Sequence, residues 1–361
     1  EDARYMALAL ALGRRGQGRC WPNPAVGCVI VKGGRIVGRG WTAPGGRPHA
    51  EVRALQQAGE GARGATVYVS LEPCAHHGKT PPCADALIAA GVARVVAPIV
   101  DSDPRVAGQG FARLESAGIE VETGICAGEA LRDLGGFLRR AETGLPHLTL
   151  KLAMSLDGRI ATASGDSQWI TGAEARRVVH AMRARHDAVM VGAGTARADD
   201  PTLTVRDMGA RRQPVRVVVS RRLDLPLMSN LARTAHDVPL WLCHGTEVDG
   251  TIAEAWRGVG ARLLPCDVVA GQVDPEAILQ ALGQAGLTRV LCEGGGALAA
   301  SLLGAGLVDE FVGFTAGLAI GAEGLPGIGA LGLARLEEAG RFTLVETRQV
   351  GGDVMHRWRR A

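Results

Sequence analysis

The sequence is poor in lysine: Lys32, Lys79 and Lys151 stand alone against 37 arginines. An arginine-biased genome explains the ratio. The same bias marks each retained lysine as a candidate for a site that needs a compact, titratable ammonium. Charge of one sign is also missing. Net charge is +3, and the two parts of the chain on either side of residue 146 are each nearly balanced. With six Trp, two Tyr and five Phe, the chain lacks both the basic excess and the stacking residues of a nucleic-acid binder. No apolar run approaches the roughly 18 residues that cross a bilayer. No secretory signal is expected at its start. The eight cysteines are scattered without a disulfide framework, which fits a reducing cytoplasm.

What is present is an ordinary globular composition, 47% apolar and 21% charged, and enough length for about two domains. Glycine, at 51 residues, is about twice its usual share of roughly 7%, so tight turns and close backbone approaches are expected. Residues 2–15 read as an amphipathic helix. The β-branched runs Ala25–Val31 and Arg35–Gly40 flank a Lys32-Gly33-Gly34 hairpin signal. A helix from about His49 through Gln57 follows, then strand Thr66–Leu71, helix Ala84–Ala90, strand Arg94–Val100, helix Phe111–Ala117, strand Ile119–Glu122 and helix Glu129–Arg140. The polar, Gly- and Pro-bearing stretch Glu142–Pro146 is the expected boundary between domains 1–145 and 146–361. Beyond it, strands Leu148–Ala153, Ala188–Gly192, Val215–Ser220, Val238–Cys243 and Arg289–Glu293, with helix Ala173–Arg185, predict a second α/β layer system.

His49-Ala50-Glu51 precedes Glu72-Pro73-Cys74 and Cys83. One His and two Cys form a three-ligand zinc set, which leaves the fourth tetrahedral position for water, the catalytic arrangement. Pro48-His49 and Pro82-Cys83 each open a helix, where the dipole favours a thiolate. Glu51, in the same first turn as His49, reaches the water without being a ligand and shuttles its proton. This is the signature of zinc nucleobase deaminases. The eight residues between Cys74 and Cys83 depart from the usual two. His76 or His77 within them could ligate instead of Cys83, although the helix start favours Cys83. Lys79 points to a substrate phosphate, with a solvated loop lysine as the plain alternative. Asn23 suits a ribose or ring contact, or a simple turn.

In the second half, Lys151 ends a strand. Cys292-Glu293-Gly294-Gly295-Gly296 joins a strand through glycines to an apolar helix, leaving bare N–H groups that suit a phosphate. The Rossmann G-x-G-x-x-G fingerprint is absent, and a packing turn is the other reading of the glycines.

Nearly the whole chain resembles the bifunctional riboflavin-biosynthesis deaminase–reductase family, RibD. The motifs are Asn23-Pro24 with Val26–Ile30, His49–Glu51, Leu71–Cys74 with Thr80–Cys83, Ser155–Gly158, Ser167–Thr171, Asp199–Arg206 and Glu293–Gly295. The long spacing between cysteines is normal there. The resemblance implies a cytidine-deaminase-like three-layer domain followed by a dihydrofolate-reductase-like domain. It implies deamination of 2,5-diamino-6-ribosylamino-4(3H)-pyrimidinone 5′-phosphate, then reduction of its ribosyl group to ribityl with NADPH. His49, Cys74 and Cys83 would bind zinc, with Glu51 the proton shuttle. Ala153, Trp169, Thr195, Asp199, Ser220 and the turn Gly295, Gly296, Ala297, Leu298, Ala299, Ala300 and Ser301 would contact NADPH. Ser167, Arg183, Leu203, Arg206 and Glu293 would hold the sugar phosphate, and Lys151 or Asp199 would handle the proton of the reduction. The expected partner is a small pyrimidine ribotide, with neither nucleic acid nor membrane, in a homo-oligomer (dimer or tetramer). Residues Thr315–Gly321 depart from the family, which leaves the last strands unassigned. The competing readings are a nucleic-acid or nucleotide deaminase with a non-catalytic second domain, and a zinc module fused to a ligand sensor.

Overall fold

Cys28-Val29-Ile30-Val31 sends alternate side chains to opposite faces of a sheet, and both faces are covered. This strand lies in the first of two units, Glu1–Leu145 and Pro146–Ala361, of a computed structural model that describes residues 1–76, 81–103, 107–209 and 212–361. The first unit runs α1 (Asp2–Gly13), β1 (Gly27–Lys32), β2 (Arg35–Trp41), α2 (Ala50–Ala58), β3 (Thr66–Val69), α3 (Cys83–Ala89), β4 (Arg94–Ala97), α4 (Gln109–Ser116), β5 (Glu120–Thr123) and α5 (Ala127–Thr143). Its sheet has the order β2-β1-β3-β4-β5, antiparallel at β2-β1-β3 and parallel beyond. Cys28, Ile30, Val67, Val69 and Val95 pack with Ala54, Leu87 and Leu114 on one face. Val29, Val31, Tyr68 and Val96 pack with Met6, Leu10 and Ala130 on the other. The result is helix, sheet, helix. The β1–β2 turn uses Gly33 and Gly34 at φ 55° and 72°, as a tight hairpin requires.

The second unit continues through β6 (His147–Met154), β7 (Arg159–Ala161), α6 (Ala173–Ala184), β8 (Ala188–Gly192), α7 (Ala193–Asp199), β9 (Val215–Val219), α8 (Asn230–Arg233), β10 (Leu240–Gly245), α9 (Gly250–Gly258) and β11 (Arg262–Cys266). It closes with β12 (Val268–Val269), β13 (Gln272–Val273), α10 (Pro275–Gln284), β14 (Arg289–Cys292), α11 (Gly296–Gly304), β15 (Glu310–Thr315), β16 (Leu325–Pro326), β17 (Phe342–Val350) and β18 (Asp353–Arg360). The main sheet has the order β11-β10-β9-β8-β14-β6-β15-β18-β17, parallel as far as β15 and antiparallel in the last two strands. Strand runs such as Ala188-Val189-Met190-Val191 are buried on both sides, as a parallel sheet demands. β14 lies between β8 and β6, so the chain reverses its progress along the sheet there. Ligands of open α/β sheets bind beyond the carboxyl ends of strands at such a point.

Two differences from the sequence reading have clear causes. The strand expected over Val238–Cys243 runs over Leu240–Gly245, because its start follows Pro239. The unassigned C-terminus forms the β17–β18 hairpin, and Asp157 fastens the divergent segment before it by accepting from Ile320 N at 3.1 Å and Gly321 N at 2.7 Å. No helix among the described residues is long and apolar enough to cross a membrane.

Candidate active sites

His49 caps α2 from an extended conformation, φ −69° and ψ 163°. Glu51 follows in the first turn and is 4% exposed. Cys83 is the first residue of α3, and Cys74 lies just beyond the buried Leu71–Pro73 stretch. The ligand atoms of His49, Cys74 and Cys83 all lie within 4.8 Å of one another. His49 Nδ1 is 3.3 Å from Cys83 Sγ and 3.7 Å from Cys74 Sγ, and both cysteines are free thiols. A tetrahedral zinc with Zn–S near 2.3 Å and Zn–N near 2.0 Å sets its ligand atoms roughly 3.5–3.8 Å apart. The donor set and its spacing therefore fit that ion.

The electrostatics agree. The Cys83 thiol and N–H both donate to Cys74 Sγ, the N–H at 3.3 Å, and this holds the Cys74 thiol well below the ordinary thiol range. Burial pushes the Glu51 carboxyl up, against the pull of His49. That is the direction a group needs if it is to carry a proton near neutral pH. His76 is exposed and is not one of the three converging donors. His77 and Lys79 lie outside the described residues. Asn23 Nδ2 donates to Gly46 O at 3.1 Å, bracing the loop that leads into His49.

Sequence reasoning missed the work of Glu72. Its buried carboxylate accepts N–H bonds from Asp101 (3.0 Å), Gly108 (2.9 Å), Gly110 (2.8 Å) and Phe111 (3.4 Å). It thus pins the backbone two residues before Cys74. Its neighbours Pro73 and Cys74 were the only signal.

In the second unit a cleft of about 1090 Å³ opens beyond the carboxyl ends of β8, β9 and β14, just above the roughly 300–1,000 Å³ typical of ligand sites. Thr195, Asp199, Ser220, Gly295, Gly296, Ala297, Leu298, Ala300 and Ser301 line it. Gly294 and Gly295 have φ of 95° and 92°, and a Cβ on Gly296 would come 2.5 Å from Pro326 O. Only glycine builds this turn. α11 has no side-chain cap, and the first amide bonded back to the cap is Ala299 N, to Gly295 O at 2.9 Å. The amides before it are placed for a phosphate. A glycine cradle at a helix start, in a cleft this large, fits a dinucleotide.

Three residues expected at the cofactor lie outside the lining of this cleft. Ala299 is fully buried. Ala153 packs against the Val179 and Phe314 core. Trp169 is 66% exposed and stacks with Arg176, whose guanidinium carbon is 4.6 Å from the ring centre. Ser167, expected at the sugar phosphate, lines the cleft.

The remaining residues form a charged cluster. Arg183 grips Glu293 with two hydrogen bonds, 2.5 and 2.7 Å, and donates to Thr204 O at 2.8 Å. Burial depresses the Lys151 ammonium, and the charges of Glu293 and Arg183 act on it in opposite directions. Arg206 N donates to His180 Nδ1 at 3.2 Å, and the Arg206 side chain is exposed. His180, one turn before Arg183 on α6, was not singled out from the sequence; the three-residue spacing was the signal. The Leu203 side chain is 2% exposed, in the core with Val189 and Val218, because it is apolar; a ligand contact there falls to its main chain.

Residues 1–99 match the family model for the cytidine and deoxycytidylate deaminase zinc-binding region, and residues 146–356 match the RibD C-terminal domain. The chain belongs to the RibD family. It is 44% identical to the riboflavin biosynthesis protein RibD of Escherichia coli (strain K12) over 98% of both chains, and 40% identical to that of Aquifex aeolicus (strain VF5) over 98% and 97%. A solved structure of Acinetobacter baumannii RibD superposes with a TM-score of 0.89 at 39% identity, covering 100% of this chain and 99% of that one. The Thermotoga maritima diaminohydroxyphosphoribosylaminopyrimidine deaminase/5-amino-6-(5-phosphoribosylamino)uracil reductase superposes at 0.87 with 32% identity and the same coverage. As a RibD, the chain is a bifunctional enzyme of riboflavin biosynthesis, a zinc-dependent deaminase and a reductase. Its units have the cytidine-deaminase-like and dihydrofolate-reductase-like folds. The match of the second unit to the RibD C-terminal domain does not favour the reading in which that half is non-catalytic.

Proposed function

We propose that residues 1–145 deaminate 2,5-diamino-6-ribosylamino-4(3H)-pyrimidinone 5′-phosphate and that residues 146–361 reduce the product's ribosyl group to ribityl. The observation that carries the first step is the convergence of His49, Cys74 and Cys83 beside the buried Glu51. Zinc, when bound by these three, supplies a Lewis acid that makes water nucleophilic at neutral pH. Glu51 takes a proton from the attacking water and returns it to the departing amino nitrogen, so that ammonia leaves. Asn23 and Lys79 contact the substrate.

NADPH, when bound in the cleft, supplies the hydride. Thr195, Asp199, Ser220 and the turn from Gly295 to Ser301 hold it. Arg206 carries an exposed guanidinium suited to the sugar phosphate. Ser167, Glu293 and the main chain at Leu203 orient the sugar, and Arg183, already engaged by Glu293 and Thr204, fixes their positions. Lys151 gives the proton that accompanies the hydride. Its place on β6 beside Glu293 favours it over Asp199, which lines the cofactor cleft. The partner is a small ribotide, not nucleic acid, consistent with the near-balanced charge. A cytoplasmic setting is supported by eight free cysteines, and the working form is a dimer or tetramer.

The test supplies the diaminopyrimidine ribotide with and without NADPH and follows products by mass. Without NADPH an amino group should be exchanged for oxygen; with it, hydrogen should then be added to the side chain. Hydrogen added to the starting diamine in preference to the deaminated product would overturn the order of steps.

A further inference from the structure

Three arginines stand at one end of the reductase cleft, and none is used by the reading above. Arg221 and Arg222 follow Ser220 at the carboxyl end of β9, and Arg197 comes from α7; all three line the cleft. The nearby lining carboxylate, Asp224, is already engaged. It accepts from Ser220 Oγ at 3.0 Å and pairs with Arg197 Nη1 at 3.0 Å. Arg221 Nη1 donates to Gly271 O at 2.8 Å, which fixes its guanidinium at the rim. The Arg222 side chain is exposed and has no hydrogen bond or ion pair among the described residues. This rim carries an excess of positive charge with one guanidinium held in place and one uncommitted.

The order of the sheet says which part of a dinucleotide meets that rim. The glycine turn before α11 follows β14, which is two strands from β9 through β8. At about 4.8 Å per strand that is roughly 10 Å. Lys151 lies the other way, on β6, and Glu293 stands at the end of β14 itself. With the pyrophosphate on the glycine turn, a nicotinamide reaching Lys151 and Glu293 leaves the adenosine ribose to extend over β8 to β9. The reverse orientation would carry the nicotinamide away from Lys151.

We propose that Arg222, supported by Arg221, binds the 2′-phosphate on the adenosine ribose and so selects NADPH over NADH. The proposal rests on the reading that a dinucleotide occupies this cleft. A site for NADH offers a free carboxylate to the ribose 2′-hydroxyl, whereas a site for NADPH offers arginine to the phosphate. Here the carboxylate nearest Arg222 in the chain, Asp224, is occupied and Arg222 is free. A guanidinium fork matches a phosphate dianion in both charge and shape.

The experiment measures binding to the full chain of NADPH, NADH, 2′,5′-ADP and 5′-ADP, by fluorescence or calorimetry, in the native protein and in Arg222→Ala, Arg221→Ala and the double variant. Losing a charge-assisted hydrogen bond weakens binding by roughly 10- to 100-fold. Arg222→Ala should therefore weaken NADPH and 2′,5′-ADP by about that factor and leave NADH and 5′-ADP unchanged, with a larger loss in the double variant. Equal losses for NADPH and NADH, or unchanged NADPH binding in the double variant, would overturn the proposal while leaving the cleft as the cofactor site. A native chain that binds neither NADPH nor 2′,5′-ADP would overturn the reading of the cleft itself.

Discussion

Arg183 and Glu293 form a two-pronged ion pair, with Nε to Oε1 at 2.5 Å and Nη2 to Oε2 at 2.7 Å, and only 12% and 10% of their side chains are exposed. The third arm of the guanidinium holds Thr204 O, so the pair couples α6 and the end of β14 to the chain leading to Arg206. Burial works against the Glu293 carboxylate, and Arg183, Lys151 and His180 together outweigh it. Removing one partner of a buried pair strands the other charge and costs about 3–5 kcal/mol. Glu293→Ala should lower stability by that order in urea unfolding and abolish NADPH oxidation. Glu293→Gln should recover part of the stability without recovering turnover. Equal recovery of both would reduce Glu293 to a structural role.

Lys151 yields a pH dependence with a definite sign. Burial lowers its pKa below the ordinary lysine value of about 10.4. Only the ammonium form donates a proton. Reduction should therefore fall as pH rises through the depressed value, earlier than for a solvated lysine. Lys151→Arg, charged throughout, should move or remove that alkaline limb. The check is a pH profile of NADPH oxidation with the deaminated intermediate supplied; a limb left in place by the substitution would assign it to another group.

Glu51→Gln separates metal binding from proton transfer. Glu51 is not one of the three converging donors, so zinc content by mass spectrometry should be retained. Deamination should drop by about 10²–10⁴, the usual worth of a positioned acid–base group. Reduction of supplied intermediate should be unaffected. Loss of zinc with activity would instead make Glu51 part of the metal's support.

These residues differ in how plainly the sequence announced them. His49, Cys74 and Cys83 could be read in advance because ligand chemistry restricts residue type and helix starts restrict place. The glycine turn after Glu293 was legible for the same reason. Glu72 was not, because its partners are backbone amides of a loop and the start of α4, about 30–40 residues on, and backbone amides leave no mark on residue identity. Arg221 and Arg222 were hidden among 37 arginines. The β17–β18 hairpin escaped because its exposed, mixed-polarity strands lack the apolar runs that marked the buried ones.

Gly38 and Gly40 belong to that illegible group, and they set a last expectation. α2 carries both His49 and Glu51 at its start, and it rests directly on β2. A Cβ on Gly40 would lie 2.2 Å from Ala50 O and 2.8 Å from Ala54 N, and one on Gly38 would lie 2.3 Å from Ala54 O. These obstacles are helix backbone, which cannot swing aside as a side-chain tip would. Gly40→Ala must lift the first turn of α2 and draw His49 from Cys74 and Cys83. Overpacking of this kind costs about 1–3 kcal/mol, and disturbing the support of a metal ligand typically weakens binding by about 10- to 100-fold. Zinc should therefore leave more readily to a competing chelator, with deamination falling in step, while NADPH oxidation on supplied intermediate is unchanged. Gly135→Ala, in α5 with nothing within 4 Å of the new methyl, is the matched control and should be neutral or stabilising. If Gly40→Ala holds zinc as tightly as that control, the seat of α2 on β2 is not what places His49.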